Sequence, residues 1–493
     1  VTTRPDIVHP SAEDPIARSA SNIVGGPFGR LARAGRHWWS PLRVLVVFTT
    51  VAYAVGYALD LSCRATGWAS PERYEHLCYS DIPPLYSLRG FADGLIPYLQ
   101  TAPGQTPLEY PVITGIFMQI SAMITRGLTG LFGSLDTGQT FFDVNVLLLL
   151  IALVVAVITT ALTVKRRPWD AAMVALAPTV ILAATVNWDL LPLALAGCCL
   201  LLWSRSRPLA AGVLLGLAIA AKFYPLFFLG AFLVLTVRSG QWRAFGLLLG
   251  GTVGSWLAVN LPFIIANAEG WSFFYRFSQE RGEDFGSIWF AATQLGIGSI
   301  PADTLNVVAS GLFLLLCLAI GILALSTARR PRLAQLLFLI VAAFVVTNKV
   351  YSPQYVLWLV PLAAMARPRW REFIIWQAGE VVYFVAIWWF LVGYGVTDTK
   401  GMTPQWYAVA TLVHIAVTIW FAALIIRDMV KPDRDPVRTD GFDDDSDDPG
   451  GGVFDKAPDV FTLQRLWRPS HSGGQASSTS SNRVVVNRTS AVT

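Results

Sequence analysis

Between residues 42 and 426 the chain is written as thirteen apolar segments, and this constrains its fold more than any other feature. They lie near 42–60, 111–131, 142–164, 170–187, 189–203, 208–221, 223–237, 244–265, 304–326, 333–347, 354–366, 372–392 and 405–426. A backbone placed in hydrocarbon has to satisfy its own hydrogen bonds, and a helix does so within one segment. Several segments fall short of the ~20 residues a crossing needs, so they must borrow flanking aromatics or line the protein interior. Composition agrees: 54% of residues are hydrophobic and 14% charged, against about 25% charged in a soluble domain. The expectation is an all-α, multi-pass protein of the plasma membrane. The net charge of +5 does not point to nucleic acid, because Lys and Arg sit in short clusters between the apolar segments. The first segment lacks a small-residue cleavage site and reads as an anchor.

Those clusters alternate along the chain. Basic connections are Lys165-Arg166-Arg167, Arg205/Arg207, Arg238/Arg243, Arg329-Arg330/Arg332, Arg367/Arg369/Arg371 and Arg427/Lys431/Arg434. Between them lie Asn187-Trp188-Asp189, Lys222, residues 266–303, 348–353 and 393–404, with few or balanced charges. Positively charged loops face the cytoplasm, which puts the second set outside. The basic tail before residue 41 is then inside and the first span delivers 61–110 to the outer face. Lys165 must be inside, which needs an odd number of crossings between 110 and 165. Two apolar segments lie there. We expect 111–131 not to cross, which leaves about 12 crossings with both termini cytoplasmic; the alternative is that it crosses and a weak later segment does not.

The outer loop that results, about 50 residues long, carries the densest set of titratable and aromatic groups. Asp81 is followed by Ile82-Pro83-Pro84, and prolines stop a helix from running through it. A carboxylate just above a bilayer and near apolar surface can have its pKa raised and act as a general base; the plainer reading is a cap or a solvated loop acid. Asp93, before Gly94, reads mainly as turn chemistry. Cys63 and Cys78 share this loop, where a disulfide would survive, and are expected to pair; Cys198, Cys199 and Cys317 read as small core residues. Five scattered histidines and no Cys/His cluster argue against a structural zinc site. A divalent cation on the loop acids is the one cofactor left open.

Cations near the outer boundaries form the complementary half. Lys222, Arg276, Arg281 and Lys349, the last beside Tyr351, are candidates for a phosphate group, which Arg can bind in bidentate fashion. Each could instead snorkel or pair with Glu280, Glu283 or Asp284. Glu380 and His414 lie inside apolar segments, where ionisable groups are functional candidates. After Arg427 the chain turns acidic from Asp433 to Asp448 and then Gly- and Ser-rich. Such composition buries too little to offset ordering entropy. The organisation read is therefore a cytoplasmic tail over 1–40, a membrane domain over 41–427 and a disordered cytoplasmic tail over 428–493.

These residues resemble the GT-C membrane glycosyltransferases, and within them family 87, over about 40–427. The resemblance rests on Asp81 in the first outer loop, Gly94 to Tyr98 (Gly-x-x-Pro-Tyr), Tyr110-Pro111, Ala211 to Ala218 (Ala-Gly-x-x-x-Gly-x-Ala) before Lys222, and Tyr355 to Pro361 (Tyr-x-x-Trp-Leu-x-Pro). The family often has Tyr-Pro-Pro where this chain has Tyr110-Pro111-Val112. Resemblance implies a GT-C fold with interfacial or re-entrant helices in the first outer loop. It implies inverting transfer of a sugar, mannose foremost, from a polyprenyl-phosphate donor to a glycolipid or lipoglycan acceptor of the cell envelope, as in the actinobacterial enzymes of the family. Asp81 would take the acceptor proton; Lys222, Arg276, Arg281 and Lys349, with Tyr351, Tyr86, Asp93 and Tyr110, would bind donor phosphate and sugar. Arabinofuranosyl transfer is an alternative. A lipid-linked-sugar flippase or secondary transporter, kept open by Glu380 and His414, and a scaffold recruiting cell-wall synthesis proteins through its tails are the competing classes.

Overall fold

A computed structural model describes residues 14–20, 23, 40–394, 401–441 and 446–464. The basic aromatic cluster before residue 40, residues 395–400 of the 393–404 loop and the chain after 464 lie outside the described residues. The described residues form helices and connecting turns, with no strand among them. Seven helices are long and apolar enough to cross a membrane by length and composition: Pro41–Ala65, Val112–Leu131, Thr137–Thr163, Trp242–Ala266, Ala302–Ser326, Trp370–Gly393 and Pro404–Val430. Five shorter apolar helices, of 10–17 residues, lie among them. The expected count of twelve crossings therefore rests on charge, not on helix length.

The short helices are short because they are inside. Val356–Ala366 is buried at every residue, and Leu333–Thr347 is buried along most of its length. Pro208–Ala221 packs against Trp242–Ala266 with no room for a side chain between them. A Cβ on Gly212 would meet Leu248 O at 2.1 Å, and one on Gly216 would meet Thr252 O at 2.2 Å. Small residues that let backbones touch are a recurrent way to join helices in lipid, which gives the Ala211–Ala218 motif its physical meaning.

The apolar segment read at 170–187 is not one helix. It breaks into Pro168–Ala171, Ala172–Ala175 and Pro178–Ala183. Proline disfavours the helical region for the residue before it, and Ala177 is extended at φ −60°, ψ 126°. The freed backbone is satisfied by a side chain: Thr179 N and Oγ1 donate to Gln377 Oε1 at 3.2 and 2.6 Å. Irregular backbone at this depth is tolerated only when protein surrounds it.

Hydrogen bonds sort the helix ends into two groups. At one end lie Arg64, Asp143, Asn187, Lys222, Arg281 and Lys349, around Asp81. At the other lie Arg166, Arg167, Arg205, Arg238, Arg332 and Arg367. The alternation of charge along the chain is thus an alternation in space. Val112–Leu131 begins and ends at the Asp81 end. Tyr98 Oη donates to Tyr110 O and Pro111 O at its start, and Arg126 Nη1 donates to Phe91 O, 2.6 Å away, near its finish. A five-residue link then reaches Thr137–Thr163, where Gln139 Nε2 donates to Arg64 O at 3.3 Å. A helix of this length and composition could cross a membrane; in this fold it returns the chain to the end it left.

The Arg332 end departs from expectation. Residues 428–441 and 446–464, read as part of a disordered tail, are laid across the basic loops. Asp435 pairs with Arg332 at 2.8 Å, Asp440 with Arg166 at 2.9 Å, and Asp459 with Arg238 at 2.8 Å. Phe454 packs on Trp203, with ring centroids 4.9 Å apart, and Trp203 Nε1 donates to Gly451 O at 2.9 Å. The acidic run is unable to bury enough by itself, and the arginines that complete it come from elsewhere in the chain.

Candidate active site

Asp81 ends up beside a cavity of about 300 Å³ at its end of the bundle. The turn that carries it is pinned at several points. Cys63 and Cys78 form a disulfide, Asp81 N donates to Val186 O at 2.9 Å, and Ser80 Oγ donates to Thr185 O at 2.6 Å. Prolines 83 and 84 fall in the first turn of the short Ile82–Leu88 helix, where a missing N–H does no harm. Arg89 closes the far side of the loop with two bonds to Glu109, at 2.7 and 2.8 Å.

The carboxylate has two fixed donors. Tyr79 Oη donates to Oδ1 at 2.7 Å and Asn187 Nδ2 to Oδ2 at 2.8 Å. Asn187 also lies 2.7 Å from Tyr110 Oη. Burial raises the Asp81 carboxyl above the usual carboxylate range, and the two hydrogen bonds with the Lys222 charge offset only part of that rise. Oriented by its donors and reluctant to stay charged, this group has the character of a proton acceptor.

Lys222 stands on the same cavity as the cation. Its Nζ is 3.2 Å from Asp189, which is fully buried, and 5.5 and 5.9 Å from the ring centroids of Tyr110 and Tyr355. Trp358 Nε1 also donates to Asp189, at 2.7 Å from Oδ1. Asp189 thus anchors the lysine. Arg281 lines the cavity as well, paired with Asp284.

Asp81, Tyr110, Lys222 and Arg281 therefore meet in one place. The remaining candidates do not line that cavity. Lys349 Nζ bonds Gln279 O at 3.1 Å, Arg281 O and Asn306 Oδ1, so it ties down the segment bearing Arg281; burial and then the Arg281 charge lower its pKa. Arg276 is half exposed beside Glu269. Tyr86 is buried and stacked on Phe141, Asp93 lies in the turn before Gly94, and Tyr351 Oη points to Glu380 and Thr418, at 3.4 and 3.5 Å. Among the described residues no group of three His, Cys, Asp or Glu side chains is placed to hold a metal.

Glu380 and His414 pair with each other. His414 Nδ1 lies 3.3 Å from Glu380 Oε2, and its Nε2 lies 3.1 Å from Gly286 O. Thr418 Oγ1 donates to Glu380 Oε1 at 2.7 Å. Gly286 adopts φ +77°, and a Cβ there would sit 2.0 Å from Tyr351 O. The buried pair thus grips the loop that carries Arg281 and Asp284.

Sequence reading missed the orienting role of Asn187 and the wall residues Tyr79, Gln354 and Trp388. The signal present was Asn187-Trp188-Asp189, three polar-capable side chains set between two apolar segments. Nothing local marks Trp388, which sits in a helix with other tryptophans.

Residues 110–348 match the model of glycosyltransferase family 87. No curated protein matches the chain. Among solved structures, the chain is similar to that of the crystal structure of ArnT from Cupriavidus metallidurans bound to undecaprenyl phosphate. The TM-score is 0.42 at 14% identity, over 80% of this chain and 78% of that one; a likeness of that degree carries no functional weight. Asp81 precedes the matched stretch, while Tyr110, Asn187, Asp189, Lys222 and Arg281 belong to it. The resemblance read from scattered motifs over about 40–427 is thus met by a match to the family's model over residues 110–348, a little under half of the chain.

Proposed function

We propose that the protein is an inverting membrane glycosyltransferase. It moves a sugar, mannose foremost, from a polyprenyl-phosphate donor to a hydroxyl of a cell-envelope glycolipid or glycan, at the outer face of the plasma membrane. The observation that carries this reading is the placement of Asp81 and Lys222 on one cavity, in a chain whose 110–348 stretch matches a glycosyltransferase family. The acceptor oxygen attacks the anomeric carbon while Asp81 takes its proton. The bond from that carbon to the phosphate oxygen breaks, and the lipid phosphate leaves with the electron pair. Lys222 and Arg281 stabilise the charge that gathers there, an effect that fixed cations supply without reorganisation. For a β-linked mannosyl donor the product is an α-mannoside.

A transporter or flippase would need ionisable groups free to bind cargo near the midplane. Glu380 and His414 are instead engaged with each other, Thr418 and Gly286 O. The test is direct. Purified protein receives radiolabelled polyprenyl-phosphate mannose and a membrane lipid extract. Label should enter a glycolipid and be released by an α-mannosidase. Label that stays in the donor, or a product with retained configuration, overturns the proposal.

A further inference from the structure

Glu380 and His414 are buried between the Trp370–Gly393 and Pro404–Val430 helices and do not line the Asp81 cavity. Both ring nitrogens of His414 face acceptors, Nε2 the Gly286 carbonyl and Nδ1 Glu380 Oε2. A carbonyl can only accept, so Nε2 carries a hydrogen and donates it to Gly286 O. Glu380 Oε1 is taken by Thr418 Oγ1 at 2.7 Å and Trp376 Nε1 at 3.2 Å, which leaves Oε2 for Nδ1. The imidazole also lies flat on Tyr383, with ring centroids 4.0 Å apart and planes 11° apart. Held at both nitrogens and on one face, the ring has one tautomer and one orientation, set by the bond its other nitrogen makes.

What the ring holds leads back to the cavity. Gly286 N donates to Tyr407 Oη at 2.9 Å, and Tyr407 lies two turns before His414 on the same face of one helix. Both backbone polar groups of Gly286 are therefore fixed by that helix. The neighbouring residues are fixed as well: Tyr351 N donates to Phe285 O at 3.2 Å, and Asp284 N to Lys349 O at 2.8 Å. Inside the turn, Ser287 Oγ donates to Asp284 O at 2.7 Å and Phe285 N to Asp284 Oδ1 at 2.6 Å. The second carboxylate oxygen of Asp284 meets the Arg281 guanidinium, and Arg281, Asp284 and Phe285 all line the cavity. An unbroken run of bonds thus joins the buried pair to a cation on the cavity wall.

We propose that His414, oriented by Glu380, is a positioning residue for the donor phosphate: acting through Gly286 and Asp284, it sets where Arg281 stands on the cavity. It touches no substrate. The inference rests on the reading of Arg281 as a phosphate-binding cation. A pair that only held two helices together would affect unfolding and leave phosphate affinity alone.

The experiment measures farnesyl phosphate binding to full-length protein in lipid nanodiscs. Arg281→Met should weaken binding about tenfold, the scale of one hydrogen bond to a charged group. His414→Phe, which keeps the ring against Tyr383, should weaken it about five- to tenfold. His414→Gln, whose amide N–H can still reach Gly286 O, should restore most of that loss. With Arg281 already replaced by Met, His414→Phe should cost less than about twofold more, because residues acting as one unit are not additive. In the transfer assay His414→Phe should raise the donor KM or lower kcat and leave the acceptor KM within about twofold. Should His414→Phe fail to fold, Tyr407→Phe decides by the same double-variant measure; it removes the other hold on Gly286 and keeps the stack on Phe390. Wild-type affinity in the folded variant, or an undiminished further loss in the Arg281→Met background, overturns the positioning role. No binding by wild type, or wild-type affinity in Arg281→Met, overturns the phosphate reading on which it rests. A wild type that binds farnesyl phosphate but transfers nothing contradicts the glycosyltransferase reading and leaves the positioning role standing.

Discussion

The two ends of the bundle use the same side chains to opposite purposes. At the Arg332 end, buried guanidinium groups meet carboxylates and carbonyls. Arg332 alone reaches Asp435 at 2.8 and 2.9 Å, Met365 O at 2.8 Å and Ala366 O. At the Asp81 end, the carboxylate and the ammonium face a shared cavity and are held by third parties, Tyr79 and Asn187 for one and Asp189 for the other. Charges that neutralise each other stabilise a fold; charges held apart by their own anchors are available to a substrate. Position on the two faces of one bundle, not residue type, decides which they become.

The largest way to break the comparison is at the closed end. Arg332→Ala leaves Asp435 buried without its main partner, and loss of one member of such a pair costs about 3–5 kcal/mol. Thermal unfolding of the purified variant should show a large drop, with transfer by the surviving folded fraction little changed. At the open end, Lys222→Met should lower kcat about 100-fold, the scale of losing one fixed charge at a developing anion; because it also takes the cation from the buried Asp189, unfolding temperature should fall too, but by less than in Arg332→Ala, since Trp358 Nε1 still donates to that carboxylate.

pH separates the ends by sign. Burial raises the Asp435 carboxyl, but Arg332 and Arg438 more than reverse this and hold it below the ordinary range. Its contribution to stability is therefore present above about pH 4 and lost as the pH falls. Asp81 is held above the ordinary range, so the folded state binds its proton more tightly than the unfolded chain does. Its contribution is present at low pH and lost as the pH rises through the raised value. Asp435→Asn should flatten the acid limb of stability, and Asp81→Asn the decline that runs from the ordinary carboxylate range up to the raised value. Transfer should rise through that same range as the base ionises. The smallest effect is Tyr79→Phe, which removes one donor to the carboxylate. It should move the acid limb of the rate profile to higher pH by up to about one to two units, since a hydrogen bond to a charged group is worth about 1.5–3 kcal/mol and one unit is about 1.4 kcal/mol.

Much of this was legible in the sequence. Apolar segments and alternating clusters of Lys and Arg foretold both the helical bundle and its two unlike faces, because both signals are local. Counting crossings singled out 111–131, whose helix begins and ends at one face. Asp81 stood out because prolines and a polar loop are visible in a short window. What was hidden is what depends on partners far along the chain. Asn187 meets Asp81 across 106 residues, and His414 meets Glu380 across 34. Asp435 lies 103 residues from Arg332, so the acidic segment after Arg427 read as a solvated tail when it is a strap across the basic loops. Lys349 was read as a phosphate contact for a similar reason: its backbone partners at Gln279 and Arg281 carry no mark in sequence.

The central claim, that the open end does chemistry and does not hold the fold, is tested most directly by one variant measured in two ways. Asp81→Asn is purified, its unfolding temperature taken, and its transfer of radiolabelled mannose from polyprenyl-phosphate mannose compared with wild type. The expected result is a loss of about 10²–10⁴ in rate, the usual contribution of a positioned base, with unfolding within about 3 °C of wild type. Full transfer by Asp81→Asn, or a loss of activity explained by unfolding, would contradict it.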